Sequence, residues 1–86
     1  MFEKKVVVNN KTGLHARPAS ELMKLCSKSK SNIMLLAGNA QINPKSIISI
    51  LGGGVHQGTE VTLQISGEDE AEFGPKIIEF ISNLTD

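Results

Sequence analysis

The chain has 86 residues, with nine Lys plus Arg balanced by nine Asp plus Glu, three Phe and neither Trp nor Tyr. That length predicts one domain, residues 1–86. A domain this small buries only roughly 60% of its unfolded surface, so a functional site belongs on the surface, shared with a partner. Balanced charge without aromatic platforms excludes the usual nucleic-acid binders, and no apolar run approaches the ~20 residues that cross a bilayer.

The first residues, Phe2 to Val8, are rich in β-branched side chains and predict a strand. Met1 to Lys5 run into Val6-Val7-Val8 without the apolar core of a signal peptide. A polar loop, Asn9 to Gly13, follows. Ala19, Leu22, Met23 and Cys26 then recur at i, i+3, i+4 and i+7, the stripe of a helix, with Lys24, Lys28 and Lys30 outside it. Cys26 is the single cysteine and cannot form an internal disulfide, which fits a reducing, cytoplasmic setting. Its place on the stripe reads as packing.

Ser27 to Asn32 is a polar connector, and Ile33 to Ala37 is an apolar run of strand length. Gly38-Asn39 offers a tight turn into a short strand at Ala40 to Asn43, predicting a hairpin. Ser46 is a good N-cap for a helix of under two turns that stops at Gly52-Gly53-Gly54. Val61, Leu63 and Ile65 alternate with Thr62, Gln64 and Ser66, the plainest strand of the chain. Glu68-Asp69-Glu70 supplies acid at a helix start, where the dipole favours it. Ile77, Phe80, Ile81 and Leu84 form a last stripe, predicting a helix to the C-terminus that is irregular at Gly74-Pro75 and regular only from about Pro75.

The order β-α-β-β-α-β-α predicts an α+β two-layer sandwich: a sheet with one wet face and helices over the other. Ferredoxin-like folds share most of that order, and the pattern leaves the strand order open.

The chemistry concentrates in Gly13-Leu14-His15-Ala16-Arg17-Pro18-Ala19-Ser20, where a loop turns into the first helix. The first amides of a helix lack intrahelical acceptors and the dipole adds positive potential, so a helix start receives phosphate well. Pro18 is tolerated in the first turn and disfavours the helical conformation at Arg17, which places the helix start at Ala16 or one residue later. His15 falls at or just before the cap. Neutral imidazole is a competent nucleophile near pH 7, and Arg17 brings a planar fork that binds phosphate oxygens bidentately. A lone histidine at a helix start also serves as an ordinary polar cap. His56, in a Gly-flanked loop, reads as surface. No His, Cys or acidic cluster stands near His15 at metal-ligand spacing, so neither metal nor cofactor is expected.

Gly13 to Ser20 resembles the active-site signature of the histidine-containing phosphocarrier, or HPr, family of the bacterial phosphoenolpyruvate-dependent sugar phosphotransferase system. The resemblance covers essentially the whole chain. It implies an open-faced sandwich of four antiparallel strands with three helices on one face, and a carrier rather than an enzyme. It further implies that His15 accepts phosphate through Nδ1 from phosphorylated enzyme I and passes it to sugar-specific IIA proteins. Arg17 and the amides of Ala16 and Arg17 would steady the group, with the protein acting as a monomer away from nucleic acid and membrane.

Lys45-Ser46-Ile47-Ile48 resembles the family's regulatory segment, which implies modification of Ser46 by an ATP-dependent serine kinase, with its phosphorylase, and binding of the modified form to a catabolite-repression regulator. Ile47, Ile48 and Leu51 cannot all face the core of so short a helix, and exposed apolar patches mark interfaces. Together with Ser20 and Lys24 they are the expected docking residues. Gly52-Gly53, Asn39-Ala40 and Ser49 depart from the family pattern, and the missing aliphatic side chain at position 53 predicts lost stability and a looser loop before Val55. The competing functional readings are a carrier paralogue in a nitrogen-related phosphorelay and a non-transport binding adaptor. Lys45-Ser46-Ile47 argues against the first, and His15 with Arg17 against the second.

Overall fold

The computed structural model describes residues 1–85. In chain order the elements are β1 (Phe2–Val7), α1 (Ala16–Ser27), β2 (Asn32–Ala37), β3 (Ala40–Ile42), α2 (Ile47–Gly52), β4 (Glu60–Ser66) and α3 (Glu70–Ser82). The four strands form one antiparallel sheet in the order β1-β4-β2-β3, which alternation along the chain does not dictate.

Register follows from the period of two. Val6 lies opposite Val61, Leu35 opposite both Leu63 and Ile42, and Ile33 opposite Ile65. These residues share the face covered by Ala19, Leu22 and Cys26 of α1, Ile50 of α2 and Phe73, Ile77 and Ile81 of α3. The other face carries Lys5, Thr62, Gln64, Met34 and Gln41, none of them buried. The predicted α+β sandwich with helices on one face is the observed architecture.

Boundaries moved by a residue or two. Val8 lies outside β1 but prolongs its pairing: its amide donates to the Thr59 carbonyl at 2.9 Å and its carbonyl accepts from the Gly58 amide at 2.7 Å. β3 ends at Ile42 because the Asn43 amide donates to Ser49 Oγ (2.8 Å), and Asn43 Oδ1 accepts from the Lys45 amide (3.0 Å), turning the chain toward α2.

The last helix corrects the sequence reading. α3 is helical from Glu70, with Pro75 inside it, and ends at Ser82 rather than reaching the C-terminus. Its first turn is secured by the Asp69 carbonyl, which accepts from the amides of Glu72 (3.1 Å) and Phe73 (3.0 Å). Gly74 faces the Phe2 ring so closely that a Cβ would sit 2.6 Å from ring carbons. The glycine brings α3 down onto β1, and that packing outweighs the local preference of Gly-Pro to break a helix.

The connector between α1 and β2 is tied to the start of α3. Asp69 accepts from the hydroxyls of Ser29 (2.7 Å) and Ser31 and from the Lys30 amide (2.8 Å). The Ser31 hydroxyl first, then the Lys30 amide, hold the Asp69 carboxyl down to about 2 from an ordinary 3.8. A carboxyl depressed in the folded state adds stability that is complete above its unfolded value and is lost as pH falls toward the folded one. The urea midpoint should therefore drop between about pH 4 and pH 2, and Asp69→Asn should lower it at neutral pH and flatten this acid limb. An unchanged acid slope in the variant would assign the effect to other carboxyls.

Candidate functional site

His15 is the N-cap of α1, with extended backbone (φ −79°, ψ −175°). Its side chain makes no capping hydrogen bond, so the imidazole is not spent as the polar cap that a lone histidine here would ordinarily be. The ring is exposed. The His15 carbonyl accepts from the Ala19 amide at 2.8 Å, closing the first turn. Ahead of that bond stand the amides of Ala16 and Arg17 and then Pro18, which has no N–H. Arg17 is helical despite the following proline, and of the two expected starts the helix takes Ala16. The first turn holds no acidic residue to compete for these donors or oppose an incoming anion.

The loop ahead of His15 is stitched to the segment before β4. The Leu14 amide donates to the Val55 carbonyl at 3.2 Å, and Gln57 Nε2 donates to the Asn9 carbonyl at 3.0 Å. Gly13 takes φ +61°, and a Cβ on it would lie 2.6 Å from the Cα of His56. Only glycine meets both demands. His56 is exposed, as expected, with its Nδ1 against the Gln57 carbonyl at 3.0 Å.

Arg17, Ser20 and Lys24 fall at i, i+3 and i+7 on one face of α1, Ser20 half-buried and the other two exposed. α2 packs against α1. Ser46 is the N-cap of α2, its Oγ accepting from the Ser49 amide at 3.3 Å. The apolar residues of α2 divide: Ile50 is buried and Ile47 half-buried against the core, whereas Ile48 is 80% and Leu51 48% exposed. The structure thus leaves an apolar pair outward on α2, and Arg17, Glu21 and Lys24 exposed on α1.

Position 53 corrects the expectation of a gap. A Cβ on Gly53 would lie 2.6 Å from Ile42 Cγ1 and would overlap Cδ1. Ile42 is fully buried and already fills that room, and Val55 beyond it is buried too.

Sequence reading missed what Lys45 does besides preceding Ser46. Its ammonium donates to the carbonyls of Ser29 (2.9 Å) and Ser31 (2.7 Å), holding the approach to α2 against the connector that Asp69 also grips. No local pattern announces a bond between segments so far apart. Cys26 is buried, and burial pushes its thiol up to about 12, so it packs as an apolar group. Among the described residues no group of three or more His, Cys, Asp or Glu could hold a metal ion, and no helix is long and apolar enough to cross a membrane.

An exposed imidazole at the N-cap of α1, followed directly by the first helical residues Ala16 and Arg17, is an arrangement suited to carrying a phosphoryl group. The family profile described as the phosphorylation site of the HPr component of the phosphotransferase system matches residues 2–83. The chain belongs to the HPr family. HPr is a phosphocarrier of the phosphotransferase system rather than a catalyst. The chain is 46% identical over 63 residues to phosphocarrier protein HPr of Mycoplasma capricolum, covering 73% of this chain and 71% of that one. It is 38% identical over 81 residues to the HPr-like protein Crh of Bacillus subtilis, covering 94% and 95%. The crystal structure of HPr-C-His from Thermoanaerobacter tengcongensis superposes with a TM-score of 0.90 at 41% identity, covering 94% of this chain and 91% of that one. Dimers of HPr and of Crh are also among the solved relatives.

Proposed function

We propose that this HPr-family protein is a cytoplasmic carrier that takes a phosphoryl group onto His15 from phosphorylated enzyme I and passes it to sugar-specific IIA proteins. The observation that carries this reading is an exposed N-cap imidazole, free of capping duty, at a helix start without acid. A ring nitrogen, Nδ1, forms the bond to phosphorus as the bond to the donor breaks. The amides of Ala16 and Arg17 and the Arg17 guanidinium steady the phosphoryl oxygens. The hold stays moderate because the group must leave again. In this proposal residues 1–86 act as one domain and as a monomer.

Incubation with phosphoenolpyruvate and catalytic enzyme I should give acid-labile, alkali-stable phosphate that is absent from His15→Ala. No transfer to the native chain would overturn the reading.

Ser46 is the proposed regulatory site, modified by an ATP-dependent serine kinase and reversed by its phosphorylase, with the modified chain joining a catabolite-repression regulator. Its hydroxyl caps α2, where a phosphate is electrostatically welcome. Ile47, Ile48 and Leu51 of α2, with Ser20 and Lys24 of α1, form the docking surface. New negative charge at its edge would repel the acidic surfaces that Arg17 and Lys24 of α1 attract. Ser46→Ala should lose all ATP-dependent labelling by the kinase, and Ser46→Asp should accept phosphate from enzyme I roughly tenfold more slowly, the low end of what lost electrostatic steering costs. Equal labelling of the alanine variant would remove Ser46 from the scheme.

A further inference from the structure

We propose that Asn10 is a positioning residue for the phosphoacceptor, acting on His15 through the Gly13–Leu14 peptide; this rests on the carrier reading above. Asn10 is only 4% exposed, unusual for an amide in a surface loop. Its main-chain carbonyl accepts from the Gly13 amide at 3.2 Å, closing a turn over residues 10–13. Its side chain completes the grip: Nδ2 donates to the Gly13 carbonyl at 2.8 Å and, at 3.5 Å, reaches Thr12 Oγ1. Both main-chain polar groups of Gly13 therefore end on one residue.

The Gly13 carbonyl belongs to the same peptide unit as the Leu14 amide, which donates to Val55. That peptide plane is fixed at its oxygen by Asn10 and at its nitrogen by the segment before β4. Leu14 is buried, so the chain leaves the plane in one direction, and His15 follows with extended backbone as the cap of α1. A shift of this plane would carry with it the N-cap His15 and the start of α1, and so the imidazole and the amides of Ala16 and Arg17.

Asn10 Oδ1 is buried without a hydrogen-bond partner among the described residues. A buried acceptor left unpaired opposes folding, and an apolar side chain of similar shape would avoid that penalty. Packing alone therefore gives no reason for an amide here. What the amide supplies is the Nδ2 donor. Leucine cannot replace it, having no polar atom, and aspartate cannot while ionised, when it has no donor.

The test compares Asn10→Leu and Asn10→Asp with the native chain and with Cys26→Ala, a core variant that loosens α1 away from the loop. All are assayed at a temperature where urea titration shows each fully folded. In phosphoryl uptake from phosphoenolpyruvate and enzyme I, both Asn10 variants should lose roughly 10- to 100-fold in kcat at nearly unchanged KM, as displacement of a reacting group by about 1 Å does. Cys26→Ala should transfer at the native rate. Phosphorylation with potassium phosphoramidate, which needs no partner, followed by phosphorus NMR, should show the His15 phosphate hydrolysing at a rate several-fold different in both Asn10 variants, by the same displacement. If Asn10→Leu folds too weakly to assay, Asn10→Asp, which keeps the shape, carries the test at a pH high enough to ionise its carboxyl. Native rates in the Asn10 variants, or an equal loss in Cys26→Ala, would overturn the proposal. A native chain that takes no phosphate from enzyme I but is labelled by phosphoramidate would instead sink the carrier reading, leaving the hydrolysis rates to judge Asn10.

Discussion

Gly13→Ala should unfold at markedly lower urea, by about 2–5 kcal/mol, and should transfer phosphate poorly even under conditions where it is folded. Two penalties add. The residue stands at φ +61°, where an L side chain costs roughly 1–2 kcal/mol. Its new methyl would also press on the backbone of Val55 and His56, and forced overpacking of this kind costs roughly 1–3 kcal/mol. Backbone atoms cannot swing aside as a flexible side chain can. Relief requires the loop before His15 to part from the segment before β4, which breaks the bond from the Leu14 amide to Val55. The proposed phosphoacceptor, His15, directly follows Leu14, so the defect should appear twice: in the urea midpoint, and in phosphoryl uptake measured well below that midpoint. A variant of near-native stability would show that the two loops have slack that the close approach denies.

The parts of the fold legible in the sequence are those where one short stretch holds the whole signal. β4 was readable because Val61, Leu63 and Ile65 alternate with polar residues within seven positions. The hairpin was readable because Gly38-Asn39 is a turn in itself, and Gly38 takes φ +60° there. α1 and its start were readable for the same reason: His15, Ala16 and Arg17 are contiguous, and a helix start needs no distant partner to define it. What escaped depends on segments meeting. Gly74-Pro75 reads as a break until Phe2 of β1 is known to lie against Gly74. The grip of Asp69 on Ser29, Lys30 and Ser31 joins residues nearly forty positions apart, and Ser29 and Ser31 look like ordinary connector serines in the sequence. Asn10 lay within reach of a local argument, since an asparagine three residues before a glycine is a turn signal, but its burial was not. The residues of the candidate site are thus contiguous in the chain, and the contacts that hold them are not.

Position 53 gives the sharpest case of a local reading reversed by a tertiary one, and a double-mutant cycle should show it. Read along the chain, Gly53 lacks an aliphatic side chain, and restoring one should stabilise α2 and the loop that follows. In the folded protein the room is taken by Ile42 from β3. Gly53→Leu should therefore destabilise by about 1–3 kcal/mol, the range for methylenes forced into a filled core. This holds although φ −77° at Gly53 suits any residue. Ile42→Ala should destabilise by about 2–5 kcal/mol, through lost burial and the cavity left beneath α2. Combined, the leucine enters the space the isoleucine vacates, so the double variant should be no less stable than Ile42→Ala alone. The coupling should be favourable by about 2 kcal/mol, within the range for residues that share a cavity. Urea unfolding of the four proteins at one pH measures it. Additive losses would mean that the two side chains occupy different space. A favourable coupling makes Gly53 and Ile42 one packing unit divided between α2 and β3, and the short helix that presents Ile48 and Leu51 to solvent then stands on a full core rather than on a gap.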